Sequence, residues 1–387
     1  MTGPAQGLGP RPAGRRTRRP VLTLVVAGLV VVGLVLSAGC AGPGAADGAT
    51  DADGADTVPL EQVQAVDDPK GWEGPSTAVL ADRSVDPVVE DPAPNLPVTV
   101  VSHDRAGERE VEVTDTDRVL ALDISGTLAA TVWGLGLGDR LVGRDVSTTF
   151  PGAEDLPVVT SDGHSLNAEA VLRSRPTLVV TDGSIGPRDV VEQLRDAGVT
   201  VVFVENQASF DGAQDLARDV AAVLGVPDAG ERLAERIAAQ LDDVRAQVDR
   251  LAPAAAEDRL SMVFLYLRGS AGVYYLLGEE SGAGDLVRGL GGVDVAAELG
   301  WKDMQPLTDE AVLAADPDLV IVMSHGLDSV GGVDALLADK TTLALTSAGR
   351  NRRFVDMADG DVLSFGPRSA GVLDALARAV YAPRGPA

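Results

Sequence analysis

A tyrosine and an arginine two positions apart are the residues of this sequence best suited to binding iron. Tyr266 and Arg268 lie near the end of the apolar run M-V-F-L-Y-L-R-G (262–269). If that run is a strand, residues two apart leave the same face of it. A guanidinium beside a phenol favours the phenolate, which is a hard anionic donor suited to ferric iron. Tyr274 and Tyr275, just downstream, are rival candidates.

Two histidines stand in loops that a ligand could reach. His164 lies in T-S-D-G-H-S-L-N (160–167), a glycine-containing loop between a predicted strand and a predicted capped helix. Ligand sites of α/β proteins gather at such strand ends. A neutral imidazole there could bind the iron face opposite Tyr266. His325, in M-S-H-G, directly follows another apolar run and is expected to face the ligand-binding cleft. It could be an alternative ligand, a polar contact to the ligand or neither.

The composition excludes several other kinds of chemistry. The 387 residues include 32 basic and 58 acidic side chains and carry a net charge of −26, so the chain is a poor candidate for binding nucleic acid. One cysteine rules out an intrachain disulfide framework, and three histidines leave little for a polyhistidine metal site. The sequence has no G-x-S-x-G, H-E-x-x-H or P-loop motif. We therefore expect a binding protein, with a motif-poor secreted hydrolase or a structural surface lipoprotein as alternatives.

The first forty residues resemble the export signal of a bacterial lipoprotein. A cluster of five arginines (11–19) precedes the apolar run Val21–Leu36, and Ser37-Ala38-Gly39 leads into Cys40. Small residues directly before the chain's single cysteine resemble a lipobox, in which the thiol is acylated after the preceding peptide is removed. A membrane-spanning helix is the alternative, although the run is short of the roughly 20 residues that a span needs.

The rest of the chain divides into a tether, two lobes and a helix between them. Residues 1–39 are predicted as the signal peptide, and 40–95 as a flexible tether because they are rich in Ala, Gly, Asp and Pro. Apolar runs that alternate with amphipathic stretches predict an α/β lobe over 96–226 and a second over 257–387. The predicted strands include 141–142, 158–159 and 178–181 in the first lobe and 319–323 in the second. Between them, within residues 227–256, a spacing of four, four, three and four predicts one long helix over 228–251 from the apolar residues Leu233, Ile237, Leu241, Val244 and Val248. Such a helix makes a stiff hinge.

An internal repeat supports two related lobes. Residues 167–180 (N-A-E-A-V-L-R-S-R-P-T-L-V-V) and 308–321 (T-D-E-A-V-L-A-A-D-P-D-L-V-I) share a pattern of a capping residue, Glu-Ala-Val-Leu, Pro and an apolar run. In each copy the glutamate, Glu169 or Glu310, falls in the first helical turn, where the helix dipole favours an acid. The identical spacing indicates that one lobe arose by duplication of the other.

Two segments and this organisation resemble a known family. The chain from about residue 115 to the end is similar to the ABC-importer binding proteins that carry siderophores, cobalamin and haem. The segments T-S-D-G-H-S-L-N-A-E-A-V-L (160–172) and M-V-F-L-Y-L-R-G (262–269) resemble the haem-carrying members found in high-GC Gram-positive bacteria. The resemblance implies an α/β fold of two Rossmann-like lobes joined by a single long α-helix, as in class III periplasmic binding proteins.

The resemblance also implies a ligand and roles for the candidate residues. Ferric haem would be the transported ligand, with its iron held by His164 and Tyr266 and with Arg268 hydrogen-bonded to the phenolate. The haem propionates require local positive charge, and Arg144 and Arg368 lie near predicted loops, as does Arg188. A siderophore or cobalamin carrier of the same fold is the alternative.

In the wider class, one exposed glutamate on each lobe pairs with arginine on the permease dimer. Glu169 and Glu310 match that arrangement, although their place at helix N-termini explains them equally well. The expected partners are therefore haem, an ABC permease dimer with its ATPase, and the membrane through lipidated Cys40. The expected location is the outer face of the bacterial cytoplasmic membrane.

Overall fold

The computed structural model describes residues 58–104, 107–161 and 164–384. The predicted signal peptide (1–39) and Cys40 lie outside these residues, as does the part of the predicted tether up to residue 57. Within the described residues, none of the helices combines the length and the apolar character needed to cross a membrane.

The N-terminal lobe is built on three parallel strands. Val119–Leu122 pairs with Leu178–Thr181, which pairs with Thr200–Phe203 on its other side. The first two strands are buried along their whole length, as expected for a parallel sheet covered on both faces. A hairpin of Val98–Asp104 and Gly107–Val113 packs beside them. The strands predicted at 141–142 and 158–159 are reduced to isolated bridges.

The C-terminal lobe is built on a larger, mixed sheet. Its centre is parallel, with Phe354–Met357, Leu319–Met323 and Ser261–Arg268 side by side. Val273–Leu276 turns back antiparallel to Ser261–Arg268 and then pairs with Gln305–Pro306. Parallel strands end at the same edge of a sheet, so the residues that follow Leu265, Met323 and Met357 come together at one edge.

Helices cover both sheets, and their bounds follow the apolar periodicity of the sequence. The helices of the N-terminal lobe are Thr127–Gly134, Ala168–Ser174, Arg188–Asp196 and Phe210–Val223. Those of the C-terminal lobe are Ala283–Gly289, Val295–Glu298, Asp309–Ala315, Ser324–Asp328, Gly332–Asp339, Ser347–Arg350, Asp359–Val362 and Ser369–Tyr381. Short strands at Thr160–Ser161, Ser165–Leu166 and Val293–Asp294 complete the described elements of regular structure apart from 3₁₀ turns, the interlobe helix and one strand of the N-terminal segment.

The predicted long helix runs from Pro227 to Leu251 and joins the lobes. Pro227 occupies the first turn, where its missing N–H is not needed. The apolar positions that predicted the helix, including Leu233, Ile237 and Leu241, are buried. The predicted fold class, two α/β lobes joined by a long helix, is confirmed.

The prediction of a flexible tether is wrong for residues 58–95, which we call the N-terminal segment. Ser76–Ala78 adds a parallel strand to the edge of the C-terminal sheet beside Phe354–Met357. The backbone N–H of Val88 then donates to Gly134 O at 2.8 Å in the N-terminal lobe. Leu60 and Leu80 are buried in the main core. The segment is ordered because it buries scattered apolar residues and pairs its backbone with both lobes.

Candidate functional site

Tyr266 and Arg268 lie together at the carboxyl edge of the C-terminal sheet. The carbon of the Arg268 guanidinium lies 4.7 Å from the centre of the Tyr266 ring, as a cation–π contact. Arg268 Nη1 donates to the carbonyl oxygen of Leu267 at 2.9 Å. Among the described residues no hydrogen bond to Tyr266 Oη is present, so the guanidinium stacks on the ring while the phenol oxygen is left open. The expected hydrogen bond from Arg268 to this oxygen is therefore not formed here.

The two rival tyrosines, Tyr274 and Tyr275, lie on the neighbouring strand and project from opposite faces of the sheet. Tyr275 pairs directly with Tyr266, so these two rings project from the same face. Tyr274 pairs with Leu267 on the opposite face, where Lys340 Nζ lies 4.1 Å from its ring centre. Tyr274 therefore lies on the wrong face of the sheet to contact Arg268.

His325 reaches the same edge of the sheet from the next strand. Its backbone N–H donates to Asp359 Oδ1 at 3.0 Å, and its side chain is exposed. The other oxygen of that carboxylate, Asp359 Oδ2, accepts from Arg268 Nη2 at 2.7 Å. The carboxylate of Asp359 therefore connects residues at the ends of three neighbouring strands. Sequence reasoning missed Asp359, although an aspartate shortly after the third parallel strand was a signal for it.

His164 belongs to the N-terminal lobe, in the turn between Thr160–Ser161 and Ser165–Leu166. Its Nδ1 is buried and has no hydrogen-bond partner in the described part of the chain. Burial raises the pKa of the nearby Asp145 carboxyl, and the hydrogen bonds of Ser147 and Thr148 and the charge of His164 act in the opposite direction. The imidazole is thus near an acidic loop without being bound to it.

Two further aspartates follow the buried strands of this lobe. Asp123 is fully buried and accepts hydrogen bonds from the backbone N–H groups of Thr127 (3.1 Å) and Leu128 (2.9 Å), at the start of a helix. Burial raises the pKa of Asp123 to about 7, and Asp182 and Asp145 act in the same direction. Asp123 and Asp182 were not predicted from the sequence, although an aspartate directly after each buried strand was visible in L-A-L-D and V-V-T-D.

The two lobes contact each other through loops close to these groups. The backbone N–H of Ser147 donates to Asp145 Oδ1 at 2.6 Å. Gly360, next to Asp359, packs so closely that a Cβ there would lie 3.1 Å from the carbonyl oxygen of Ser147. The hydroxyls of Thr127 and Ser364 are hydrogen-bonded at 3.1 Å. His164 on one lobe and the Tyr266–Arg268 pair on the other therefore flank one contact between the lobes.

Two arginines expected near the ligand are engaged within the protein. Arg144 donates to three backbone carbonyls between 145 and 154, at 3.1 to 3.3 Å, and so shapes that loop. Arg368 is buried in an ion pair with Asp361. Of Arg188 only the backbone is described, at the start of a helix.

The repeat glutamates lie on two matching short helices, one in each lobe. Glu169 and Glu310 are both exposed in the first turn of seven-residue helices. The leucine three residues later is exposed in both copies, 41% at Leu172 and 57% at Leu313. Residues three apart share a helix face, so each lobe presents an acid beside an apolar side chain.

In the described parts of the chain, no group of three or more His, Cys, Asp or Glu side chains could hold a metal ion. Tyr266 and His164 instead offer single donors from separate lobes.

Comparison with known proteins finds solved structures of heme-binding proteins, and also a cobalamin-binding protein from Halobacterium salinarum that is 26% identical over 313 residues, 79% of this chain and 78% of that protein. The heme binding protein HmuT has a solved structure that is 44% identical, with a TM-score of 0.75, over 81% of this chain and 99% of that one. HmuT has also been solved with alanine in place of a tyrosine, of an arginine two residues further on, and of a histidine. The periplasmic heme-binding protein RhuT from Roseiflexus sp. RS-1 is 36% identical, with a TM-score of 0.62, over 69% of this chain and 99% of that one.

A relative from Bacillus subtilis points to the same class of protein. The ABC transporter substrate-binding lipoprotein YvrC is 25% identical over 292 residues, which are 74% of this chain and 86% of that protein. The family model described as periplasmic binding protein matches residues 120–359, which span both sheets and the helix between them. The chain therefore belongs to the periplasmic binding protein family.

Proposed function

We propose that this protein captures ferric haem outside the cell and delivers it to an ABC importer. The single observation that carries the proposal is the pair of open donors on facing lobes. Among the described residues, the phenol oxygen of Tyr266 has no hydrogen-bond partner and a guanidinium lies on its ring, and His164 Nδ1 has no partner either. The likeness to HmuT supports the identity of the ligand.

The chemistry of the two donors suits ferric haem. A phenolate is a hard anionic ligand that stabilises the ferric state, and tyrosinate is an established haem ligand. A neutral imidazole from the other lobe would supply a second donor to the iron. A flat porphyrin held between one donor from each lobe is bound only when the lobes face each other, so release follows from their separation. The family is one of binding proteins, and we propose that this chain catalyses no reaction.

A hemin titration tests the proposal. We would titrate the chain from residue 41 onward, which includes the ordered N-terminal segment, and follow the Soret region by difference spectroscopy. We expect saturable binding of ferric haem with a tyrosinate-type spectrum. The substitutions Tyr266→Ala and His164→Ala should each weaken or shift that spectrum, because each removes one axial donor.

Matched variants make the result specific. Tyr274→Phe alters a tyrosine on the opposite face of the sheet, and His103→Ala alters a histidine of the hairpin, so both should bind hemin like the wild type. If the wild type gives only the unsaturable absorbance of free hemin, the haem assignment is wrong. Saturable binding of a corrinoid or a ferric siderophore in the same assay would then identify the alternative carrier.

We further propose that the protein docks on a permease dimer through its two repeat helices. Glu169 and Glu310 would pair with cationic groups of the permease, and Leu172 and Leu313 would be covered beside them. The duplicated copies have diverged at the three positions after the leucine, yet both retain the exposed acid and the exposed leucine. Packing in the core accounts for the buried Val171 and Val312 but not for these exposed residues.

Haem-dependent growth under iron limitation tests the docking. Cells that express the full chain with its importer should grow poorly on hemin when Glu169→Gln and Glu310→Gln are combined, and when Leu172→Ser and Leu313→Ser are combined. Hemin binding by the purified variants should be unchanged, since these exposed side chains are not among the proposed iron donors. Glu235→Gln, at an exposed position of the interlobe helix, is the matched control. Normal growth of both double variants would contradict the docking surface.

We propose that Cys40 carries the lipid anchor that keeps the protein at the outer face of the cytoplasmic membrane. Metabolic labelling with a fatty-acid analogue should mark the full chain, and Cys40→Ser should abolish the label and release the protein from the membrane fraction. A labelled Cys40→Ser variant would contradict this assignment.

A further inference from the structure

The carboxylate of Asp359 joins two groups of the candidate site that lie far apart in the sequence. Asp359 Oδ2 accepts from Arg268 Nη2 at 2.7 Å, and Oδ1 accepts from the backbone N–H of His325 at 3.0 Å. The Arg268 and Asp359 side chains are 26% and 27% exposed, so the pair lies at the border of the cleft and not in bulk solvent. Both carboxylate oxygens are therefore committed to residues from neighbouring strand ends.

Apart from the Tyr266 ring, the guanidinium of Arg268 contacts three polar atoms. Nη1 donates to Leu267 O, and Nη2 lies 3.5 Å from Met323 Sδ and 2.7 Å from Asp359 Oδ2. The thioether is a weak acceptor and the carbonyl is part of the same strand. Asp359 is the charged partner, and charge-assisted hydrogen bonds are the stronger ones. The carboxylate thus fixes the plane of the guanidinium over the ring.

The segment that carries Asp359 also contacts the N-terminal lobe. Gly360, the next residue, packs against the carbonyl of Ser147, whose N–H is bound to the Asp145 carboxylate near His164. A side chain at position 360 would crowd this contact, because its Cβ would lie 3.1 Å from Ser147 O. Asp359 therefore lies directly beside a close contact between the lobes.

We infer that Asp359 is the positioning residue that holds Arg268 over Tyr266 and fixes the backbone before His325, and so sets the geometry of the ligand-binding face. This inference rests on the proposed haem-binding function for its ligand, but the contacts themselves are made in the protein without ligand.

Two measurements on the same variants test it. In the ligand-free, ¹⁵N-labelled chain from residue 41 onward, the Arg268 Nε–Hε signal, assigned with Arg268→Lys, reports stacking because the Tyr266 ring current shifts it upfield. Asp359→Ala should lose this shift, and Asp359→Asn should keep part of it because the amide oxygen can still accept from Arg268. In hemin titrations, Asp359→Ala should weaken binding about tenfold and shift the tyrosinate band, with a smaller effect of Asp359→Asn.

Asp316→Asn is the matched control. It removes the same charge at the opposite edge of the C-terminal sheet, at a left-handed residue (φ 30°) where asparagine is tolerated, and it keeps an acceptor for the N–H of Ser347. This variant should leave both measurements unchanged.

The outcomes separate this inference from the proposed function. An unchanged Arg268 signal in Asp359→Ala, or wild-type hemin affinity with an unchanged tyrosinate band, would overturn the positioning role. If the wild type binds no hemin, the proposed function fails, and the signal of the ligand-free protein still decides whether Asp359 positions the guanidinium.

Discussion

The two lobes use the same framework but end their strands differently. In each, a seven-residue helix begins after a capping side chain, Asn167 or Thr308, that accepts from the N–H three residues on. Each helix ends at a left-handed residue, Arg175 or Asp316, and leads through a proline into a buried strand. The repeat seen in the sequence is thus a repeat of three-dimensional structure.

The equivalence extends to the hydrogen bonds that join neighbouring strands. Thr177 and Asp318 are equivalent in the repeat, and each side chain accepts from an N–H at the start of a neighbouring strand. The Thr177 hydroxyl accepts from Arg118 N at 3.2 Å, and the Asp318 carboxylate accepts from Ser261 N at 2.9 Å. The edge of the sheet away from the cleft has therefore kept its structural role in both lobes.

The carboxyl edge is where the lobes differ. Val119 pairs with Leu178 in one lobe and Met262 pairs with Leu319 in the other, so Tyr266 stands at the position of Asp123. By the same register, Arg268 stands at the position of Ser125. Asp123 is fully buried and caps its own helix, whereas Tyr266 is half-buried with its oxygen open. One copy uses this position for folding, and the other leaves it available for a ligand.

The largest effect expected from this difference is on stability. Asp123→Ala should lower the free energy of unfolding by about 3 kcal/mol, because it leaves buried N–H groups at Thr127 and Leu128 without an acceptor. Tyr266→Phe, at the equivalent position, should change it by less than about 0.5 kcal/mol. Denaturant unfolding measures both. Equal losses would mean that the two positions share one role.

The two histidines, His164 and His325, should differ in their effect on hemin affinity. His164→Ala should weaken hemin binding about tenfold or more, since it removes one of the two proposed iron donors. His325→Ala should change the affinity less than about twofold, because the local hydrogen bond to Asp359 comes from the His325 backbone and survives the substitution. Soret titrations measure both, and the reverse order of effects would make His325 the ligand.

A pH series tests the buried state of Asp123. Its pKa is raised to about 7 by burial, so between about pH 4 and pH 7 the folded protein holds a proton that the unfolded chain has released. The contribution of this group to stability should therefore fall as pH rises through that range, by up to about 1.4 kcal/mol per pH unit, and level off above it. The difference in unfolding free energy between the wild type and Asp123→Asn measures this. A constant difference from pH 4.5 to 7.5 would mean that the hydrogen bonds to the carboxylate outweigh burial.

The smallest expected effects are those of the matching caps. Asn167→Ala and Thr308→Ala should each lower the free energy of unfolding by about 1 kcal/mol, because each removes one acceptor at a helix start. Similar values from thermal or denaturant unfolding would support equivalence of the two helices. A loss at only one of them would show that the lobes differ at the outer edge as well.

Local patterns in the sequence predicted most of the regular structure. Leu178–Thr181 and Leu319–Met323 were predicted at the observed bounds, and the long helix differs by one residue at its start. These elements depend on apolar spacing within the element itself, which is why one sequence suffices. The pairing of Tyr266 with Arg268 was likewise accessible, since two residues on one strand face the same way.

The features that were missed depend on contacts between distant parts of the chain. Ser76–Ala78 is only three residues long, and its strand partner is almost three hundred residues away, so nothing local marks it as a strand. Leu60 and Leu80 are buried apolar residues in a stretch whose composition is typical of linkers. Asp359 acquires its role from Arg268, 91 residues earlier. Such contacts become visible only when the fold brings the partners together.

The N-terminal segment changes the mechanics of the molecule. After pairing with the C-terminal sheet at Ser76–Ala78 it crosses to the N-terminal lobe, where Asn95 N–H donates to Gly225 O at 2.8 Å. The lobes are thus linked covalently at two places, by this crossing and by the helix Pro227–Leu251. Two bodies joined at one point can rotate about three axes, whereas two bodies joined at two points keep only the axis through both. Two connections therefore restrict the relative motion of the lobes more than the single interlobe helix would.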